Sequence, residues 1–193
     1  MIKSLQICGT SGSGKTSVVR QYIADSVAVP ILFNHKKKPT VYEGRWGDIP
    51  VFFLGSYETT CGGCDTIPSV TIVAELMEYL DNAYSDGVLL FEGLMISHMV
   101  GTVGNMQVKL GVERNVRAFL DTPLDVCLAR VQARRDAAGN TKPFNPANTI
   151  KDHPRVITCR ANCEKVGIKT YSLEHNNAYA SVNNIFQELY YGE

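Results

Sequence analysis

The chain has 193 residues, of which 45% are hydrophobic and 20% are charged, and this composition is typical of a globular protein. Its length fits one domain, and its composition excludes a disordered, collagen-like or coiled-coil chain. Because 19 Lys and Arg balance 19 Asp and Glu, bulk positive charge is excluded as the main means of holding nucleic acid, although a local basic groove is compatible with zero net charge.

Strand-like and helix-like segments alternate along the chain, which predicts an α/β fold with a mainly parallel sheet. Five core strands are predicted, at residues 5–8, 29–33, 88–91, 116–120 and 169–173, and the fully apolar run at 88–91 is typical of a buried parallel strand. Apolar residues at helical spacing predict crossover helices after the first strand, at 68–80, from residue 124, at 154–166 and from residue 182.

Two segments stand outside this alternation. Residues 36–54 combine a basic run with glycines and Pro50 before an apolar run, and we expect a hairpin inserted there. Residues 135–150 are rich in Gly, Asn and Pro, and we expect a mobile loop that closes as a lid. Residues 1–193 are therefore predicted to form a single domain with a hairpin and a lid.

A glycine-rich motif follows the first predicted strand and fits the pattern G-x-x-x-x-G-K-[ST], the P-loop that cradles phosphate groups. Its glycines allow consecutive backbone N–H groups to face phosphate oxygens, and the helix that follows adds its N-terminal dipole. We expect Lys15 to reach the β- and γ-phosphates of a nucleotide and the Thr16 hydroxyl to ligate Mg²⁺. The predicted nucleotide-binding residues are Gly9, Thr10, Ser11, Gly12, Ser13, Gly14, Lys15 and Thr16.

The strand at 88–91 delivers Glu92 to the edge of the sheet where open α/β folds bind ligands, as a Walker B strand does. Glu92 is predicted to hold Mg²⁺ through water or to orient the nucleophile. The alternative is a solvated acid at a strand end.

Two arginines lie four residues apart on one face of a predicted helix, directly before the predicted lid. We expect Arg130 and Arg134 to stabilise charge on a transferring phosphoryl group or to clamp the adenine, with Arg135 beside them. The alternative is a solvated arginine-rich face.

Phosphoryl transfer to an alcohol needs a carboxylate that accepts or orients the hydroxyl proton. Asp65 is the candidate, because the paired glycines before it permit close approach of a substrate. Asp65 also precedes a predicted helix, so an N-cap is the alternative role. Glu58 and Glu92 are the other candidates for the base.

Positive charge and aromatic rings are interleaved in one segment after the second predicted strand. Phosphates attract lysines and exposed bases stack on rings, so a nucleic-acid substrate is one explanation of this mixture. The alternative is a solvated lysine turn before a hairpin whose rings belong to the core. The residues concerned are His35, Lys36, Lys37, Lys38, Tyr42, Arg45 and Trp46.

No run approaches the ~18 apolar residues that span a bilayer, and residues 1–8 are too short and polar for a signal-peptide core. We therefore expect a cytoplasmic protein that makes no membrane contact. Six cysteines are then more consistent with reduced thiols or a metal site than with disulfides. Cys61, Cys64, Cys159 and Cys163 are candidate zinc ligands, but nothing in the sequence shows that the two pairs meet.

With these motifs the chain resembles the P-loop kinases that include nucleotide, gluconate and polynucleotide kinases. A narrower resemblance rests on residues 9–16, on Gly55-Ser56-Tyr57 and on residues 62–67 (Gly-Gly-Cys-Asp-Thr-Ile), which look like the bacteriophage 5-hydroxymethyluracil DNA kinases. The resemblance implies a three-layer α/β/α P-loop kinase fold, ATP with Mg²⁺ as the donor, and residence in the host cytoplasm.

The function implied is phosphorylation of the base hydroxymethyl group within DNA, a step towards hypermodified thymine. DNA containing 5-hydroxymethyluracil is then the partner, and the basic-aromatic segment becomes a candidate DNA contact. A kinase of free nucleotides or another small hydroxyl-bearing metabolite accounts better for the zero net charge. A P-loop ATPase or switch is the third alternative.

Overall fold

The structure of the chain is a computed structural model that describes residues 1–192. Its centre is a seven-stranded sheet in the order β2-β3-β4-β5-β1-β6-β7. The strands are β1 Lys3–Cys8, β2 Val29–Phe33, β3 Pro39–Trp46, β4 Ile49–Leu54, β5 Val88–Glu92, β6 Asn115–Asp121 and β7 Lys169–Glu174. The α-helices are α1 Lys15–Asp25, α2 Val70–Ala83, α3 Leu94–Ser97, α4 Gly101–Leu110, α5 Leu124–Ala137, α6 Ala147–Lys165 and α7 Ala178–Tyr191.

The parallel core consists of β4, β5, β1, β6 and β7, in which every neighbouring pair is parallel. All five residues of β5 are buried, as expected of a parallel strand that is covered on both faces. The carboxyl ends of these strands meet at one edge of the sheet, which we call the carboxyl edge. The α/β class predicted from the sequence is confirmed.

The sheet separates two apolar layers, so the molecule has three layers. Val88 and Leu90 of β5 pack with residues of α1 and α7 on one face. Leu89 and Phe91 pack with residues of α2, α3 and α4 on the other. This alternation follows from the twofold side-chain period of a strand, and it confirms the predicted three-layer arrangement.

The amino-terminal half of the sheet differs from the prediction in one respect. The predicted hairpin exists as β3 and β4, but both strands join the main sheet, which therefore has seven strands. Residues 29–33 form β2, which is antiparallel to β3 at the edge of the sheet, so their assignment to the parallel core is wrong. Only residues 34–38 separate β2 from β3, and a parallel connection needs a dozen or more.

Two helical regions also differ from the prediction. The helices α3 and α4 were not predicted, and α6 begins at Ala147, so that Pro154 lies inside the helix rather than at its start. Consequently the predicted lid at 135–150 overlaps the end of α5 and the start of α6, with residues 138–146 between them. No helix within residues 1–192 is long and apolar enough to cross a membrane.

Candidate active site

The glycine-rich turn lies between β1 and α1, at the carboxyl edge. Gly12 and Gly14 have φ angles of 82° and 107°, in the left-handed region that favours glycine. A Cβ atom at Gly12 would lie 2.3 Å from the carbonyl oxygen of Cys127, so the turn also packs too closely against α5 for a side chain. Gly14 immediately precedes α1, whose first-turn N–H groups therefore face the turn.

Several buried polar groups of this turn fit an anion. The hydroxyls of Thr10 and Ser13 are buried and have no hydrogen-bond partner within residues 1–192. Lys15 is only 6% exposed, and its Nζ donates to the carbonyl oxygens of Gly9 and Thr10 at 2.8 and 3.0 Å. Buried polar groups normally have partners, and phosphate oxygens would supply those that are missing.

Thr16 and Glu92 meet at the floor of the site. The Thr16 hydroxyl donates to Glu92 Oε1 at 2.9 Å, and Glu92 is 1% exposed. Burial raises the pKa of Glu92 to about 7; the nearby charge of Lys15 opposes this shift, and that of Asp65 adds to it. One hydroxyl and one poorly compensated carboxylate form an oxygen-donor set that suits a hard cation such as Mg²⁺.

The structure gives a steric reason for the glycines at positions 55 and 63. At Gly63 a Cβ atom would lie 2.4 Å from Glu92 Oε1. At Gly55 it would lie 1.9 Å from the carbonyl oxygen of Gly63, and both residues have a positive φ. The segment after β4 thus approaches the end of β5 with no room for side chains at these two positions.

Asp65 lies in a short 3-10 turn over Cys64–Thr66 and lines the same cavity as Lys15 and Glu92. Its carboxylate accepts hydrogen bonds from the backbone N–H groups of Leu94 at 2.7 Å and Met95 at 3.2 Å. It therefore binds the first turn of α3 and not the helix that follows it in sequence, which Ser69 caps. Glu58, an alternative base, is exposed and is not part of the cavity wall.

The arginines of α5 also lie at the site. Arg130 donates to the carbonyl oxygens of Gly12 and Ser13 at 3.4 and 3.3 Å, and Arg134 lines the cavity. Arg135 instead donates to the carbonyl oxygen of Lys142 at 2.8 Å, in the loop between α5 and α6.

A further cation, Arg20, was not among the predicted site residues. Arg20 follows Thr16 by one helical turn, lines the cavity and donates to the carbonyl oxygen of Tyr57 at 3.2 Å. The four-residue spacing from Thr16 was the signal available in the sequence.

The cavity enclosed by these residues has a volume of about 590 Å³, within the usual range for small-molecule sites. Cations outnumber carboxylates in its wall, which suits a polyphosphate. The charged residues of the wall are Lys15, Arg20, Arg130 and Arg134, with Asp65 and Glu92.

Tyr42 of the basic-aromatic segment belongs to the core, and Trp46 packs against it. Tyr42 is 7% exposed and lies 6.1 Å from the ring of Tyr57. Trp46 is half-buried, and its ring lies 5.6 Å from the ring of Phe186. The hypothesis that the Tyr42 ring stacks on an exposed base is therefore wrong, whereas the three lysines before it are exposed.

The cysteines give no support to a zinc centre. Cys61 is exposed, whereas Cys64 is buried beside Glu92. The Sγ atoms of Cys159 and Cys163 lie 4.0 Å apart on α6. Within residues 1–192, no group of three or more His, Cys, Asp or Glu side chains has the arrangement of a metal site.

The P-loop between β1 and α1, the acid at the end of β5 and the arginines of α5 together define a P-loop protein of the kinase class. Among solved structures, the chain is similar to a gluconokinase from Sinorhizobium meliloti 1021, with a TM-score of 0.45 and 13% identity over 99% of this chain and 97% of that one. It is also similar to a shikimate kinase from Acinetobacter baumannii in complex with shikimate, with a TM-score of 0.44 and 14% identity over 97% and 92% of the two chains. No family model matches the sequence.

Two curated phage proteins are more informative. The chain is 35% identical over 191 residues to the 5-hmdU DNA kinase of Pseudomonas phage PaMx11, which covers 95% of this chain and 96% of that protein. It is 25% identical over 199 residues to the 5-hmdU DNA kinase of Pseudomonas phage M6, covering 97% and 100%. The chain belongs to the family of 5-hmdU DNA kinases.

Proposed function

We propose that the chain is a kinase that transfers the γ-phosphoryl group of ATP to the hydroxymethyl group of 5-hydroxymethyluracil in phage DNA. The observation that carries this proposal is the 35% identity to the kinase of phage PaMx11 over nearly the whole of both chains. The cationic cavity around the P-loop supports the same reaction, because it suits a nucleotide polyphosphate beside a carboxylate.

The site residues divide into three roles. The backbone N–H groups of residues 9–16, with Lys15, hold the phosphates of ATP, and Thr16 and Glu92 hold Mg²⁺. When bound, Mg²⁺ neutralises charge on the β- and γ-phosphates. Arg130 and Arg134 stabilise the charge of the transferring group from α5, where Arg130 contacts the P-loop.

Asp65 is proposed as the base. The hydroxymethyl oxygen forms a bond to the γ-phosphorus as the bond to the β–γ bridging oxygen breaks, and ADP leaves with that oxygen. The hydroxyl proton passes to the Asp65 carboxylate. The two backbone hydrogen bonds from α3 fix the orientation of this carboxylate and leave its remaining lone pairs for the substrate.

Water must be kept from the γ-phosphate, because otherwise ATP is hydrolysed. The loop over residues 138–146 follows the arginines of α5 directly, and it is proposed to close over the cavity as a lid within the single domain. The target base must be flipped out of a duplex, or be presented in a single strand, before its hydroxyl reaches this cavity.

The test is transfer of label from [γ-³²P]ATP to oligonucleotides that differ only in one base, 5-hydroxymethyluracil or thymine. Label on the modified strand alone is expected. Label on free hydroxymethylated nucleotides but never on polymer would replace the proposal with a nucleotide kinase. Release of inorganic phosphate without any labelled acceptor would indicate an ATPase or switch.

A further inference from the structure

The short turn between β2 and β3 lies on the same side of the sheet as the active site. Val41 of β3 pairs with Leu54 of β4, and the Gly55 N–H donates to the Thr40 carbonyl oxygen, so β3 begins where β4 ends. Since β4 and β5 are parallel, this level of the sheet is also that of Glu92. Residues 34–38, which we call the lysine turn, are therefore at the carboxyl edge.

The lysine turn is ordered by its own hydrogen bonds. The Asn34 side chain accepts from the N–H groups of Lys36 and Lys38 at 2.9 and 3.1 Å, and the Asn34 N–H donates to the Lys38 carbonyl oxygen at 2.9 Å. The turn thus presents its side chains from a fixed backbone, which lowers the entropy lost when a ligand binds.

The charge of the turn is not neutralised by the protein. Lys36, Lys37 and Lys38 are all exposed, and no salt bridge within residues 1–192 includes any of them. Three adjacent like charges repel one another, and a polyanion that lies along them relieves this repulsion.

An exposed ring stands next to these charges. Phe33, the last residue of β2, is 56% exposed and pairs with Pro39 across the turn. Lysines beside an exposed aromatic ring form the combination that holds single-stranded nucleic acid, because the lysines attract phosphates and the ring stacks on a base. Tyr42 lies in the core and does not supply such a ring.

We propose that Phe33 and the lysine turn form a docking surface for the DNA strand on one side of the target base. This inference rests on the proposed function, because it names the part of the protein that holds the polymer. It also explains how a chain of zero net charge binds DNA, since the required cations are concentrated at one turn.

The position of the surface sets the length of DNA that reaches it. The far side of this surface, at Phe33 on β2, is three strand positions from β5, which is about 14 Å at the usual spacing between strands. Phosphates of a stacked strand succeed one another every ~3.4 Å, so the contact falls about four nucleotides from the target base.

The first test measures DNA binding without ATP, by fluorescence anisotropy of a labelled single strand of about 20 nucleotides, which is about five times the reach inferred above. The variant is Lys36→Gln with Lys38→Gln. Its matched control is Lys109→Gln with Lys165→Gln, which removes the same charge. These two lysines lie at the carboxyl ends of α4 and α6, next to the amino ends of β6 and β7, and therefore at the opposite edge of the sheet.

Each phosphate contact contributes about 0.7 to the logarithmic salt dependence of single-strand binding, so the loss of two contacts flattens the slope by about 1.4. At 0.1 M salt this corresponds to about 25-fold weaker binding, relative to a 1 M reference. The control pair is expected to change the affinity by less than about twofold, because its lysines face no DNA. An equal loss of DNA affinity in the two double variants, or no loss in the lysine-turn variant, would overturn the proposal.

The second test places the target base at one end of oligonucleotides that extend by two to ten nucleotides on either the 5′ or the 3′ side. The wild type is expected to gain activity beyond about four nucleotides on one side only, and the lysine-turn pair is expected to lack this gain. A Phe33→Ala variant should show a loss of the same kind, of about 5- to 150-fold in DNA affinity, since one stacked base contributes this much to binding.

The two tests separate this surface from the proposed function. If the wild type binds DNA through the lysine turn but transfers no label to the modified base of that DNA, the docking surface is supported and the proposed kinase function is wrong. If it labels the modified base equally well at every length, the reaction stands and the docking surface is wrong.

Discussion

Replacement of Glu92 by Gln is expected to make the protein more stable and inactive. The Glu92 side chain is 1% exposed, and its charged form has only the Thr16 hydroxyl and the nearby Lys15 to compensate for lost hydration. A neutral amide of the same size avoids this cost. It also removes the anionic oxygen that is proposed to hold Mg²⁺.

The magnitude follows from the pKa of Glu92, which rises from an ordinary 4.5 to about 7 in the folded protein. The native state keeps this proton up to about pH 7, whereas the unfolded chain releases it near pH 4.5, so the native state binds more protons between these values. Raising the pH through this window therefore favours unfolding. At about 1.4 kcal/mol per pH unit, the ionised carboxylate costs the native state about 3 kcal/mol above pH 7.

The assay is urea denaturation of wild type and Glu92→Gln in EDTA without nucleotide, at several pH values between about 5 and 8. The free energy of unfolding of the variant is expected to exceed that of wild type by less than about 1 kcal/mol near pH 5 and by about 3 kcal/mol near pH 8. Glu58→Gln removes the same charge from an exposed position and should stay within about 0.5 kcal/mol of wild type. A pH-independent difference between wild type and Glu92→Gln would refute the assignment of this cost to the buried carboxylate.

Three further substitutions test the site. Lys15→Ala should abolish phosphoryl transfer while far-ultraviolet circular dichroism stays native, and residual transfer above background would contradict the role of this lysine. Asp65→Asn should bind ATP in calorimetry with little change but lose turnover, whereas full activity would move the base to Glu58 or Glu92. Gly12→Ala places a Cβ atom 2.3 Å from the Cys127 carbonyl oxygen, at a position with a left-handed backbone. This substitution should lower the free energy of unfolding by about 3 kcal/mol, and the melting temperature by about 6–12 °C. An unchanged melting temperature would show that α5 can move away from the turn at no cost.

Local sequence patterns were enough to predict much of the fold. The P-loop was predictable because its glycines, lysine and threonine stand at fixed spacing between an apolar strand and an amphipathic helix, and the structure has β1 and α1 there. The strand β5 was predictable because it is buried on both faces and its first four residues form a short continuous apolar run.

Relations between distant segments were not available in the sequence. The Asp65 carboxylate caps a helix that begins 29 residues later, and no local pattern indicates which helix an acid will meet. The edge position of β2 depends on its pairing with β3, whereas its apolar composition resembles that of a core strand. Polar residues and a glycine separate Tyr42 from Trp46, and only the packing of α1 and α7 against β3 shows that the Tyr42 ring is buried and the Trp46 ring half-buried.

The central place of β1 determines when the phosphate cradle forms during protein synthesis. Ser4 pairs with Leu89 on one side and with Asn115 on the other, so β1 lacks at least one of its neighbours until more than a hundred further residues have been made. At about 5–20 residues per second, this interval lasts roughly 6–20 s. Throughout it, the nascent chain carries an apolar strand with unsatisfied backbone groups, which is a binding site for chaperones and a point of aggregation at high expression.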